Sequence, residues 1–226
     1  MTTTVLTPAL NIVVLISGSG SNLQAIINAI NENRLHARIS TVVSNRPDVK
    51  GLARARAAGI NTQCIDHQQF ESREAFDQQL IQAIDPHKPD LIVLAGFMRI
   101  LSNDFVNHYA GRMLNIHPSL LPDFRGLNTH QRALDAGVTQ HGVSIHYVNN
   151  ELDGGPVVLQ AVVDVSGDDT RESLQQKIHQ QEHIIYPMVI EWVAQGRLKL
   201  PEQRVYLDQQ PLERPLMWIK NRLITH

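Results

Sequence analysis

Short apolar runs alternate with amphipathic stretches through the first hundred or so residues, and that alternation restricts the chain to few architectures. "NIVVLI" (11–16) is β-branched and nearly all apolar, as a strand covered on both faces should be. "SNLQAIINAINENRL" follows, with Leu23, Ile26, Ile27 and Ile30 at helical spacing. Strand-like "RISTVVS", helical "GLARARAAG", strand-like "NTQCID" and helical "REAFDQQLIQAI" come next and lead to "DLIVLAG". The β-α unit recurs about four times before Gly96, which predicts an α/β, doubly wound, Rossmann-like and mostly parallel sheet. "MLNIH" (113–117) predicts one more strand.

After Gly142 the pattern changes. "GVSIHYVNNELDGGPVVLQAVVDV" holds two alternating runs around a turn-rich centre, which predicts an antiparallel portion toward the C-terminus. A helix of about 25 residues is expected from near Thr170, with Glu172 in its first turn. The tail from Arg197 carries Pro201, Pro211 and Pro215 and one short strand at "RVYL". With 226 residues, no internal repeat and no long linker, residues 1–226 are expected to form a single domain.

Composition excludes some classes of function. The formal net charge of -2 does not suit a polybasic nucleic-acid surface. A single cysteine, Cys64, excludes an internal disulfide framework and a cysteine-rich zinc site, and fits a reducing, cytoplasmic setting. At its strand position Cys64 is expected to be a buried small hydrophobe. The N-terminal apolar run lacks a positive flank and is shorter than the roughly 20 residues a membrane span needs, so neither a signal peptide nor a membrane partner is expected.

"ISGSGSN" (16–22) joins the first strand to the first helix. Backbone N–H groups at a helix start bind anions, glycines let the backbone approach, and Ser21 and Asn22 add side-chain donors. A phosphate is the natural ligand. The Walker pattern is absent, and Leu23 stands where a dinucleotide fingerprint needs its third glycine.

"NIHPSLLPDFRG" (115–126) poses the chemical question. In a strand, Asn115 and His117 share one face, at the C-terminal end where open α/β sheets place their ligands. Pro118 stops the ladder and Pro122 stiffens the loop. Asp153, in "ELDGGP", is the candidate carboxylate to orient His117 and favour its imidazolium form. Together the three suit transfer of an acyl-type group. Asn115 donates to a developing oxyanion, His117 stabilises it and relays protons, and Asp153 tunes His117. "HQQEH" (179–183) also fits an inverted zinc-peptidase pattern, against which stands a His- and Gln-rich solvated helix, the favoured reading.

From "NIVVLISGSGSNLQAII" through "LAGFMRIL", "GRMLNIHPSLLP", "HGVSIHYV", "ELDGGPVVLQ" and "QEHIIYP", the chain resembles the folate-dependent formyltransferases, in particular those acting on a purine precursor. The resemblance implies that the amine of glycinamide ribonucleotide takes a formyl group from the co-substrate 10-formyltetrahydrofolate, with no metal and no nucleic-acid partner, in a monomer or weak homodimer. It implies catalytic roles for Asn115, His117 and Asp153. Gly20, Ser21 and Asn22 match the segment that holds the ribonucleotide phosphate, and Glu182 a ribose contact. Arg73, Met98, Arg99, Ile100 and Leu101, with Asn115, match folate contacts, and His146 a histidine near the relatives' active sites. Within the domain, residues from about 11–110 then form a phosphate-binding half, about 111–200 a catalytic and folate-binding half, and 201–226 a tail. Members of the family that act on tRNA or hydrolyse the folate are expected to carry a further domain.

Overall fold

The computed structural model describes residues 8–225. β1 (Leu10–Ile16), α1 (Ser21–Asn31), β2 (Ala37–Ser44), α2 (Lys50–Ala57), β3 (Thr62–Cys64), α3 (Arg73–Ile84) and β4 (Leu91–Leu94) follow the alternation read from the sequence. The four strands are parallel, in the order β4-β1-β2-β3. Parallel strands need crossover helices, which cover both faces of the sheet. The side chains of β1 divide accordingly. Ile12, Val14 and Ile16 pack with Leu23 and Ile26 of α1, while Val13 and Leu15 pack with Phe76 and Leu80 of α3.

α4 (Asn103–His108) leads to β5 (Met113–His117), which lies parallel to β4. After α5 (Thr129–Asp135) the direction reverses. β6 (Gln140–Tyr147) pairs antiparallel with β5, and β7 (Val157–Asp164) antiparallel with β6. α6 (Arg171–Ala194) then crosses the sheet. Thr170 and Ser173 close its start in a reciprocal capping box, and Ile178, Ile185, Tyr186, Val189 and Ile190 are wholly buried along it. Among the described residues, no helix is long and apolar enough to cross a membrane.

The tail differs from the sequence expectation. β8 (Leu198–Lys199), β9 (Tyr206–Leu207) and β10 (Gln210–Pro211) make a small antiparallel sheet, so "RVYL" supplies only its last two residues. β11 (Leu216–Ile219) then joins β7 in parallel, and β12 (Arg222–Ile224) closes that edge of a nine-stranded sheet. Trp218 fastens the addition by donating its indole N–H to Gln181 of α6 at 3.1 Å. Runs this short draw their strand character from the open edge of β7, not from their own pattern.

Cys64 also departs from expectation. It is exposed, because β3 is the opposite edge strand and has a neighbour on one side only. The site is positioned by the switch between β1 and β4. Crossovers run outward from that pair in both directions, so the loops after β1 and β4 part and leave a crevice at the strands' C-terminal ends.

Candidate active site

The glycine loop is shaped by close backbone contact. Gly20 caps α1 with φ 69°, a left-handed conformation that favours glycine. A Cβ at Gly20 would lie 2.5 Å from the Cα of Gly51, and the Gly51 N–H donates to the Gly18 carbonyl at 3.0 Å. This contact seats the loop against α2, and no side chain caps the first-turn N–H groups of α1, the kind of helix start that suits an anion. Arg54 braces the outside, its Nε donating to the Ser19 carbonyl at 3.0 Å. Asn22 turns inward, and its Nδ2 donates to Glu182 Oε2 at 2.8 Å across 160 positions of sequence. Burial pushes the Glu182 carboxyl up, partly opposed by that hydrogen bond. Asn22 Oδ1 and His183 Nε2 are buried without partners.

This arrangement corrects the solvated-helix reading of "HQQEH". Glu182 is only 5% exposed and faces Asn22. The His179 and His183 rings stack beside it, 6.1 Å apart. Among the described residues, no group of three or more His, Cys, Asp or Glu side chains is placed to hold a metal ion.

At the other end of the crevice, β5 presents Asn115 and His117 on one face, and β6 places His146 and Ser144 opposite them. His146 Nδ1 lies 2.8 Å from the Tyr147 carbonyl, so that nitrogen carries the proton and Nε2 accepts. Asn115 Nδ2 therefore donates to His146 Nε2 at 3.1 Å, which fixes the amide's orientation and leaves its second N–H free. Burial pushes His146 down, in keeping with a neutral ring.

The ring of His117 lies between two oxygens. Nδ1 is 3.4 Å from Asp153 Oδ2 and Nε2 is 3.0 Å from the Phe124 carbonyl. Asp153 has φ 47°, a left-handed turn position, and its Oδ2 also accepts the Gly126 N–H at 2.9 Å. One carboxylate thus ties the loop after β5 to the loop between β6 and β7. Beneath them, Gln160 donates to the Leu121 carbonyl and to Ser144 Oγ, while Ser144 donates to the Ser119 carbonyl and accepts from the Leu121 N–H. Sequence reasoning missed Ser144 and Gln160. Their signal was available: polar side chains on apolar strands, as at Asn115 and His117.

The segment after β4 forms a third wall. Met98 and Ile100 are 60% and 55% exposed, apolar surface left open beside the crevice. The Met98 N–H donates to Ser17 Oγ at 2.7 Å, which joins this wall to the start of the glycine loop. Arg99 lies over the Phe76 ring, 5.7 Å from its centroid, and Leu101 packs against the core. Arg73, in the first turn of α3, is exposed and pairs with Glu74 at 3.2 Å. The structure gathers the remaining expected residues in two clusters, Gly20–Asn22 with Glu182 and Asn115–His117 with Asp153.

A glycine-shaped helix start after β1, with an amide, an imidazole and a carboxylate gathered at the end of β5, suits an enzyme that transfers a group onto a phosphorylated substrate. Residues 10–190 match the family described as formyl transferase, and the chain belongs to that family. It is 56% identical over 203 residues to the phosphoribosylglycinamide formyltransferase of Escherichia coli (strain K12), covering 90% of this chain and 96% of that protein. It is 44% identical over 191 residues to the human trifunctional purine biosynthetic protein adenosine-3, covering 84% of this chain and 19% of that longer protein. Among solved structures, a phosphoribosylglycinamide formyltransferase from Coxiella burnetii superposes with a TM-score of 0.88 at 53% identity, covering 92% of this chain and 99% of that one.

Proposed function

We propose that this chain transfers the formyl group of 10-formyltetrahydrofolate to the amine of glycinamide ribonucleotide, a step of purine biosynthesis. The observation that carries the reading is the convergence of Asn115, His117 and Asp153, with 3.4 Å between imidazole and carboxylate, at the end of β5. The strong likeness to proteins named for this reaction supports it.

In this reading the substrate amine attacks the formyl carbon, and the carbonyl electron pair moves onto oxygen. The free N–H of Asn115 and a donor nitrogen of His117 receive that oxyanion. His117 exchanges its Phe124 carbonyl partner for the substrate, while Asp153 holds the ring in place. The amine loses a proton, the bond to the folate nitrogen breaks, and that nitrogen leaves protonated. Gly20, Ser21 and Asn22 hold the phosphate, and Glu182 holds ribose hydroxyls. Arg73, Met98, Arg99, Ile100, Leu101 and Asn115 contact the folate, so both halves of the chain supply its wall. No step calls for a metal. We take residues 1–226 as one functional unit in the cytoplasm, a monomer or weak homodimer. The slightly negative charge supports the absence of a nucleic-acid partner, and no membrane partner is invoked.

Purified protein given 10-formyltetrahydrofolate with glycinamide ribonucleotide, with water alone, or with tRNA tests the reading. Turnover only with the ribonucleotide is expected. Equal folate consumption in water, or transfer to tRNA, would overturn it.

A further inference from the structure

Asp77 has no part in the chemistry above, yet it is a carboxylate only 1% exposed. It sits four residues after Arg73 on α3, on the same face of the helix. Its Oδ2 accepts the Ser102 N–H at 2.5 Å, and its Oδ1 is buried without a partner. Ser102 in turn caps α4 by accepting the Phe105 N–H. Arg99 lies three residues before Ser102, over Phe76, the neighbour of Asp77 in sequence. Its buried Nε has no hydrogen-bond partner. Burial pushes the Asp77 carboxyl up, while the Ser102 N–H and the charges of Arg73 and Arg99 act the other way.

A half-satisfied buried carboxylate is costly, and apolar packing would serve α3 better if stability alone were at issue. Its place beneath the segment from Met98 to Ser102 supplies another reason. That segment is fastened at one end by Ser17 to the Met98 N–H and at the other by Asp77 to the Ser102 N–H. Met98 and Ile100 stay open to solvent between the two anchors.

We propose that Asp77 is a positioning residue for the co-substrate wall. It fixes the far end of the Met98–Leu101 segment through Ser102, so the binding surface is formed before the folate arrives. The inference rests on the reading that this segment contacts the folate.

The test compares Asp77→Asn, Asp77→Ala and Arg99→Ala in steady-state kinetics, with both substrates varied and melting temperature recorded. Asp77→Ala removes anchor and charge and should raise KM for 10-formyltetrahydrofolate about tenfold, the scale of one lost charge-assisted hydrogen bond. Asp77→Asn keeps an acceptor for Ser102 and should raise it less. In both, kcat and KM for the ribonucleotide stay within about twofold, because the catalytic cluster is untouched. If Arg99→Ala raises the folate KM and Asp77→Ala does not, the positioning role fails and the folate reading stands. If neither changes it, the folate reading fails and the inference falls with it. A fall in kcat with a lower melting temperature and an unchanged folate KM would show a merely structural role. Should Asp77→Ala not fold, Asp77→Asn decides: an unchanged folate KM overturns the proposal.

Discussion

The two ends of the crevice are built differently. The glycine-loop end is largely local: one turn, one helix start and one contact between glycines shape it, with Met98 and Glu182 reaching it from farther along the chain. The β5 end, where the proposed chemistry falls, is assembled from β5, β6 and two loops, held by side-chain hydrogen bonds between distant positions. A cradle made of backbone tolerates loss of a side chain better than loss of its shape. A cluster made of side chains fails when any member is lost.

The largest expected effect is at the catalytic end. His117→Ala and Asp153→Asn should each lower kcat by about 10²–10⁴-fold with the fold intact by circular dichroism. Near-normal turnover in both would break the comparison. At the other end, Gly20→Ala should cost about 1–3 kcal/mol in denaturant unfolding, from left-handed strain and contact with Gly51. An unchanged midpoint would mean that the loop relaxes freely.

A pH titration of stability tests the two buried histidines His130 and His141. Burial pushes His130 and His141 down to about 4, with neighbouring histidines acting in the same sense. Above their ordinary value near 6.5 both are neutral whether folded or unfolded. As pH falls from there toward 4 the unfolded chain takes up protons that the folded chain refuses, so stability drops; below about 4 the loss is complete. The melting temperature should fall through that window, and His141→Asn should flatten the fall; an equally steep profile in the variant would place the titrating groups elsewhere.

Side-chain changes in the cradle should do less. Ser21→Ala with Asn22→Ala should weaken ribonucleotide binding about tenfold and leave folate binding nearly unmoved. The reverse order of effects would misassign the loop. Smallest of all, Cys64→Ala should leave the rate within about twofold, because its thiol lies on the edge strand, and partial desolvation with the nearby carboxylates of Asp66 and Asp48 pushes its pKa up, away from thiolate. A large loss would reopen a thiol mechanism.

Much of the fold was legible because each signal was periodic. Apolar strands and 3.6-residue spacing located β1 to β5 and α1 to α3, and alternation located β6 and β7. The tail was not legible, because β11 and β12 span four and three residues and acquire strand form only against β7. Burial at Cys64 was misread because nothing local says that β3 ends the sheet. Asn115 and His117 were visible as polar residues on one face of a strand, and Asp153 as a carboxylate in a glycine-rich turn. Glu182 was readable as a helix residue but not as Asn22's partner, since 160 positions separate them.

By itself the sequence determined the repeated β-α order, the glycine turn and the residue types available for chemistry, since these follow from side-chain periodicity and local backbone freedom. Only the tertiary structure decided which polar groups meet: Asp153 with His117, His146 with Asn115, Glu182 with Asn22, Asp77 with Ser102. The physical reason is that such contacts depend on strand order and burial. Both arise from packing distant segments together, and no stretch of chain carries them alone.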